Sequence, residues 1–377
     1  SACLVGSEMC IRDRWKRSGF FTMARSLHVL RDTVRRNLFG VLTACISFGI
    51  LLFFLFWGGG AASLSQIAAA SKPEWLLLAI GCCVLVWLLE GVTLHLFCRA
   101  LYKDWRLPYS VCTGLIGILY SCLTPFSTGG QPMQIYTMHR LGMDTGKSGS
   151  IIAIKTLVYQ GVLLVLTLVM IVWKLPYFQQ NVSDFSFVTI LGLLSNSAFL
   201  LFVALFFFSP RITDRLLRGG LKVLMRLHLC RKPLVRYSKI HRELSSFHGS
   251  SKLFGKNPRL YLLAIFVTVV QILLGCMVPY LIYRTFGFSG VGPDVMVAAQ
   301  AYVSMVSAFV PLPGASGGAE GSFLLFFGPF FPTGTLLPAT VLWRMLTYYM
   351  SLPMGALCTW ISGHLKPLPK AEAIKTE

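Results

Sequence analysis

Acidic side chains are scarce in this chain: 14 Asp and Glu stand against 34 Lys and Arg in 377 residues. Charged residues of both signs make up 13%, about half the share of an ordinary soluble domain. The acidic residues form no cluster with metal-ligand spacing, and the 11 cysteines are scattered. Cys45, Cys82, Cys83, Cys98, Cys112, Cys122, Cys276 and Cys358 lie within or at the ends of apolar stretches. There cysteine acts as a small hydrophobe, so neither a disulfide framework nor a zinc site is expected. A Walker A loop and an HExxH helix are also missing, which argues against ATP-driven pumping and zinc hydrolysis by this chain. No catalytic residue, metal or cofactor is expected.

What remains is apolar. Hydrophobic residues reach 55% and the mean hydropathy is +0.67, so the expected fold class is an all-α polytopic membrane protein. A bilayer crossing takes about 20 apolar residues. Six stretches suffice: Leu38–Trp57, Trp75–Cys98, Ser150–Trp173, Phe185–Phe208, Leu260–Tyr283 and Leu336–Ile361. Two uncharged runs, Tyr109–Thr124 and Val295–Val310, are only 16 residues long and fit the arms of re-entrant or broken hairpins better than full spans.

The formal charge of +20 sits beside these apolar segments and not in a separate arm, which points to a membrane surface and not to nucleic acid. Thirteen Lys or Arg lie between Arg211 and Arg259, against only Asp214 and Glu243, and a second basic cluster, Lys16–Arg36, precedes the first span. The positive-inside rule places both in the cytoplasm. The expected organisation is a basic cytoplasmic N-terminus over 1–37, an integral membrane domain over 38–365 with a basic cytoplasmic loop at 209–259, and a short cytoplasmic tail over 366–377. Residues Ser1–Arg14 resemble translated sequencing-adapter sequence, and Met23 is the expected natural start.

Two glycine-proline breaks interrupt the apolar pattern, TPFSTGGQP at Thr124–Pro132 and PLPGASGGAEG at Pro311–Gly321. From Gly130 to Lys155 is 25 residues and from Gly318 to Arg344 is 26; a tyrosine follows each cation by four, at Tyr159 and Tyr348. Threading the chain by its flanking charges gives span, hairpin, span twice, over 75–173 and 260–361, in opposite orientation. The expectation is therefore six full spans and two re-entrant hairpins arranged as an inverted repeat, a pattern that places a transporter's binding site at the broken segments.

Glu90, Lys155, Glu320 and Arg344 are the ionisable residues inside apolar segments, and each is a functional candidate because a charge in lipid is costly. Glu90 is expected to pair with Lys155, and Glu320 with Arg344. Gly129, Gly130, Gly317 and Gly318 would bring backbone N–H groups and half-helix N-termini close to an anion such as a phosphate. Gln131, Tyr159 and Tyr348 add neutral hydrogen-bonding groups, as do Ser127, Thr128, Gln134, Gln160, Ser316 and Tyr349. Close helix contact for the glycines, and ion pairs that merely join helices, are the competing readings of the same residues.

At these motifs, TPFSTGGQPMQIY, KTLVYQ, PLPGASGGAEG and WRMLTYY, the chain resembles the lysylphosphatidylglycerol synthase transmembrane, or flippase-like, family, which includes the membrane domain of the bacterial multiple peptide resistance factor. The resemblance covers about 38–361. It implies a lipid translocase of the bacterial cell membrane that moves an aminoacylated or anionic phospholipid such as lysylphosphatidylglycerol between leaflets. It also implies a membrane phospholipid as partner and a separate lipid-modifying synthase as its supplier, because the aminoacyltransferase domain of the family's full-length synthases is not expected here. A membrane-embedded transferase, or the membrane subunit of a phosphatidylglycerol lysyltransferase, is the alternative.

Overall fold

The computed structural model describes residues 72–181, 185–209, 214, 215, 244, 246, 247, 249, 257–307, 310–332 and 334–368. The expected first span Leu38–Trp57, the basic N-terminus and most of the loop 209–259 lie outside them. The described residues are helical throughout, with no strand. Among the described residues, four helices are long and apolar enough to cross a bilayer: α1 (Pro73–Leu101), α4 (Thr145–Asn181), α5 (Phe185–Phe208) and α6 (Pro258–Thr285). Their exposed faces carry Leu77, Leu88, Val169, Val172, Leu201, Leu262 and Phe266. Helices that are apolar all round suit a lipid environment, and a polytopic membrane protein is the result.

Shorter helices fill the bundle. α2 (Leu107–Leu123) leads through a 3₁₀ turn at Pro125–Ser127 into α3 (Gly130–Arg140). α7 (Pro293–Ser307) leads through a matching turn at Pro313–Ala315 into α8 (Gly318–Phe327). The expected span Leu336–Ile361 is divided into α9 (Leu336–Arg344), a π turn at Met345–Tyr349 and α10 (Ser351–His364). In the π turn the Met350 N–H donates to Met345 O at 2.9 Å. Apolar periodicity carries no trace of such a one-residue insertion.

α1 packs along α6, the two 3₁₀ turns touch, α2 lies against α10, and α7 lies against α4. Glycine sets the closest of these approaches. A Cβ on Gly91 would stand 2.7 Å from Val111 Cα, and one on Gly355 would stand 2.9 Å from Leu115 O and 2.5 Å from Leu119 Cβ. Around the second turn an aromatic core forms, with Phe323 stacked on Phe327 at 4.3 Å and on Trp343 at 4.8 Å.

Gly314 illustrates how tightly the turns are seated. Its φ is +61°, and a Cβ there would lie 2.7 Å from Tyr348 Cζ. Gly161, by contrast, sits in α4 with open space around it. Gly314→Ala should therefore lose about 2 kcal/mol or more of stability, whereas Gly161→Ala should gain up to about 1 kcal/mol. Unfolding of the two purified variants in one detergent measures both; equal stabilities would contradict the geometry.

Candidate functional site

The two turns share one backbone path as far as their left-handed pair, beyond which Thr128 is helical (φ −77°, ψ −19°) and Ser316 extended (φ −58°, ψ 139°). Each starts from an extended residue, Thr124 (φ −120°, ψ 147°) or Leu312 (φ −90°, ψ 147°), followed by proline. Two left-handed residues come next: Phe126 and Ser127 (φ 53° and 54°), or Gly314 and Ala315 (φ 61° and 53°). A hydroxyl then closes each turn, Thr128 Oγ1 onto Pro125 O and Ser316 Oγ onto Pro313 O, both at 2.9 Å. Only one of the four left-handed positions is glycine, so the neighbours, and not backbone freedom, hold the shape. The letters Gly314–Gly318 also fit GxSxG, but the motif's hydrolase reading needs a preceding strand. Here helix α7 precedes the turn.

The copies differ in how the following N–H is capped. Gly129 N–H donates to Thr124 Oγ1 at 2.8 Å, whereas Gly317 N–H donates to Glu320 Oε2 at 2.7 Å. Glu320 Oε1 accepts from Arg344 Nε at 2.7 Å. The Arg344 Nη2 donates onward to Gly314 O at 3.1 Å and Ala315 O at 3.4 Å. Arg344 thus ties the second turn to α9, and Tyr348 OH donates to Cys122 O at 3.3 Å, reaching the carbonyl end of α2 beside the first turn.

The first cation is held differently. Lys155 Nζ pairs with Glu90, which comes from α1 and not from the turn. The second Glu90 oxygen accepts from Gln271 Nε2 of α6 at 3.2 Å. Both ends of the pair are 8% exposed, so three helices meet at one buried carboxylate. Gly114 of α2 leaves the room, since a Cβ there would lie 3.2 Å from Glu90 Cγ.

A cavity of about 520 Å³ borders both turns. Glu90, Lys155, Gly130, Gln131, Tyr159, Arg344 and Tyr348 line it. Glu320, Gly129, Gly317 and Gly318 stand behind the lining. Three of the four glycines make protein contacts: a Cβ on Gly129 would meet Thr124 Oγ1 at 2.8 Å, one on Gly130 Gly117 O at 2.6 Å, and one on Gly318 Val310 Cγ1 at 2.9 Å. Gly317 has φ +83° and nothing within 4 Å of its Cβ position. Trp343, the first residue of WRMLTYY, also lines the cavity, together with Gln271, Gln300, Ser304 and Ser307, which no sequence motif marks. Lone polar residues in apolar helices show no local pattern.

Beside it lies a second cavity of about 460 Å³ with an apolar lining that includes Ile135, Ile152, Ala153, Phe199, Val203 and Phe206. Ser127, Gln131 and Thr156 belong to both linings. A polar chamber and an apolar groove therefore share a rim built from the first turn, α3 and α4. Away from both, Lys174 of α4 pairs with Asp294 at the start of α7.

Breaking a buried ion pair strands the remaining charge. Lys155→Met should cost about 3–5 kcal/mol, and adding Glu90→Gln should recover most of that loss. A double-mutant cycle on unfolding midpoints reads the coupling; additive losses would mean that the pair is not formed.

Comparison with known proteins agrees with the membrane reading. A UPF0104 membrane protein of Archaeoglobus fulgidus is 25% identical over 304 residues, covering 76% of this chain and 86% of that protein. The family model described as lysylphosphatidylglycerol synthase TM region matches residues 37–355. The apolar helices, the paired turns and this match over most of the sequence lead to one assignment: the chain belongs to the lysylphosphatidylglycerol synthase TM region family.

Proposed function

We propose that this protein moves an anionic or aminoacylated phospholipid, lysylphosphatidylglycerol being the type suggested by the family, between the leaflets of a bacterial cell membrane. One observation carries the reading: the polar chamber shares Ser127, Gln131 and Thr156 with an apolar groove. A lipid has the same two-part character, a polar head joined to apolar chains. The head enters the chamber while an acyl chain lies along α3, α4 and α5.

Within the chamber, Lys155 contacts the phosphate, because it is held by a carboxylate alone and can exchange that partner for another anion. Arg344, tied to Glu320 and two carbonyls, fixes the second turn and adds positive charge to the chamber wall. Gly130 lines the chamber at the start of α3, where the N-terminal dipole favours an anion, and Gly129, Gly317 and Gly318 stand behind it at the half-helix starts. Glu90 and Glu320 neutralise the cations between cycles, and Gln131, Tyr159 and Tyr348 complete the polar lining.

The motion follows from an inverted repeat, 75–173 against 260–361. Supporting it are the matching turns and the reciprocal contacts of α2 with α10 and α7 with α4. Two hairpins of opposite orientation around a fixed site give alternating access by rocking of one repeat against the other. Six full spans and cytoplasmic termini are the topology that accompanies this mechanism, with a separate synthase supplying the lipid.

Reconstituted into proteoliposomes with fluorescent phosphatidylglycerol, the wild type should equilibrate the probe between leaflets. Lys155→Ala combined with Arg344→Ala should abolish that transfer. Ala153→Trp, which fills the groove without touching either ion pair, should slow it by about tenfold. Equal rates for wild type and the double variant would remove these cations from the mechanism, and covalent modification of the lipid by the purified chain would replace translocation with transfer chemistry.

A further inference from the structure

The basic segment between α5 and α6 meets the bundle at Leu244 and Phe247, and both line the apolar groove. Phe247 is 6% exposed. Its ring meets Phe206 and Phe207 of α5 edge-on, with centroids 5.6 and 5.8 Å apart. Gly149 of α4 stands opposite, where a Cβ would lie 3.4 Å from Phe247 Cδ2.

These contacts fix which end of the groove the ring fills. Thr145, Gly146 and Gly149 line it near the start of α4, and Thr156 lines the rim shared with the chamber. Thr145 and Thr156 are 11 positions apart, about 16 Å along a helix. On α5 the lining runs from Phe199 through Val203 to Phe206, and Phe247 packs beside the last of these. The ring therefore occupies the end of the groove remote from the chamber.

Phe247 comes from neither hairpin; it belongs to the stretch of chain that joins the two. Burial of a phenyl ring among phenyl rings is non-directional and follows the apolar area removed from water. An acyl chain presents the same kind of surface, so one can replace the other in the groove. The displaced ring also has a place to go. Lys239, Arg242, Lys252 and Lys256 flank it in sequence, and aromatic side chains among basic ones suit the surface of an anionic leaflet.

We propose that Phe247 is an autoinhibitory plug, which closes the groove until a lipid's acyl chain displaces it. The proposal rests on the lipid reading above and assigns the segment between α5 and α6 a part in controlling entry. When the binding-competent state is only fractionally populated, the apparent affinity falls by that fraction. Removing the plug therefore strengthens binding of a ligand that fills the groove and leaves the chamber's affinity for a bare head unchanged.

The full chain in detergent, titrated with dioctanoyl phosphatidylglycerol and with chain-free glycerophosphoglycerol, tests the plug. Phe247→Ala should bind the lipid about threefold or more tightly than wild type, with glycerophosphoglycerol binding unchanged. In proteoliposomes the same variant should move fluorescent phosphatidylglycerol faster than wild type. A ring that only packs would lower the unfolding temperature and raise neither quantity. Leu244→Ala, from the same segment, repeats the test if Phe247→Ala does not fold. Unchanged or weaker lipid binding by the variant, with wild type active, overturns the plug and leaves the lipid reading standing. A gain shared equally by glycerophosphoglycerol places the block at the chamber and overturns it too. Wild type that neither binds nor moves phosphatidylglycerol removes the lipid reading, and the plug with it.

Discussion

A helix broken inside an apolar bundle frees peptide groups, and those shielded from water must find a protein partner. Much of this fold is arranged to supply those partners. Thr124 and Glu320 take the N–H groups of Gly129 and Gly317, while Arg344 takes the carbonyls of Gly314 and Ala315. Thr128 and Ser316 close the turns from within. Tyr348 reaches across to Cys122 at the end of α2. Remove these side chains, and the two irregular segments lose the bonds that hold their shape.

The same requirement makes the two halves unequal. Where the first half has the Thr124 hydroxyl, the second has apolar Leu312, and the capping duty falls to Glu320. A carboxylate in that position needs a counter-charge, and Arg344 provides it with a planar fork that also bonds two carbonyls. The first half, capped by a neutral group, has no such demand on its cation. Lys155 finds its carboxylate on α1, and Gln271 holds that carboxylate from α6. The change of cap thus separates a cation tied to the backbone scaffold from one held by side chains alone, although both line the chamber.

The helices, the two breaks, and the four charged residues were legible in the sequence because each leaves a local mark: apolar length, a glycine-proline cluster, an isolated charge. Pairing of Glu90 with Lys155 and Glu320 with Arg344 followed from the cost of a lone charge in an apolar setting. The chamber lining was less legible. Gln271 and Gln300 lie on otherwise apolar helices, and only long-range contact brings them beside Lys155 and Arg344. The ion pair of Lys174 with Asp294 spans 120 positions and left no signal either. Left-handed Phe126, Ser127 and Ala315 also escaped, since such backbone is ordinarily marked by glycine or asparagine. Gly129, Gly130 and Gly318, chosen for their reach toward a ligand, have protein atoms within contact range.

The π turn at Met345–Tyr349 carries one residue more than an α turn. Each residue of an α-helix advances the rotation by about 100°. Tightening that turn would therefore spin α10 by about the same angle and change which of its faces meets α2. Gly355 forbids it, because Leu119 Cβ and Leu115 O occupy the space that any other side chain of α10 would sweep into. The rotational phase of the last helix is thus locked by an atom that is missing, well away from the charges whose direction it preserves.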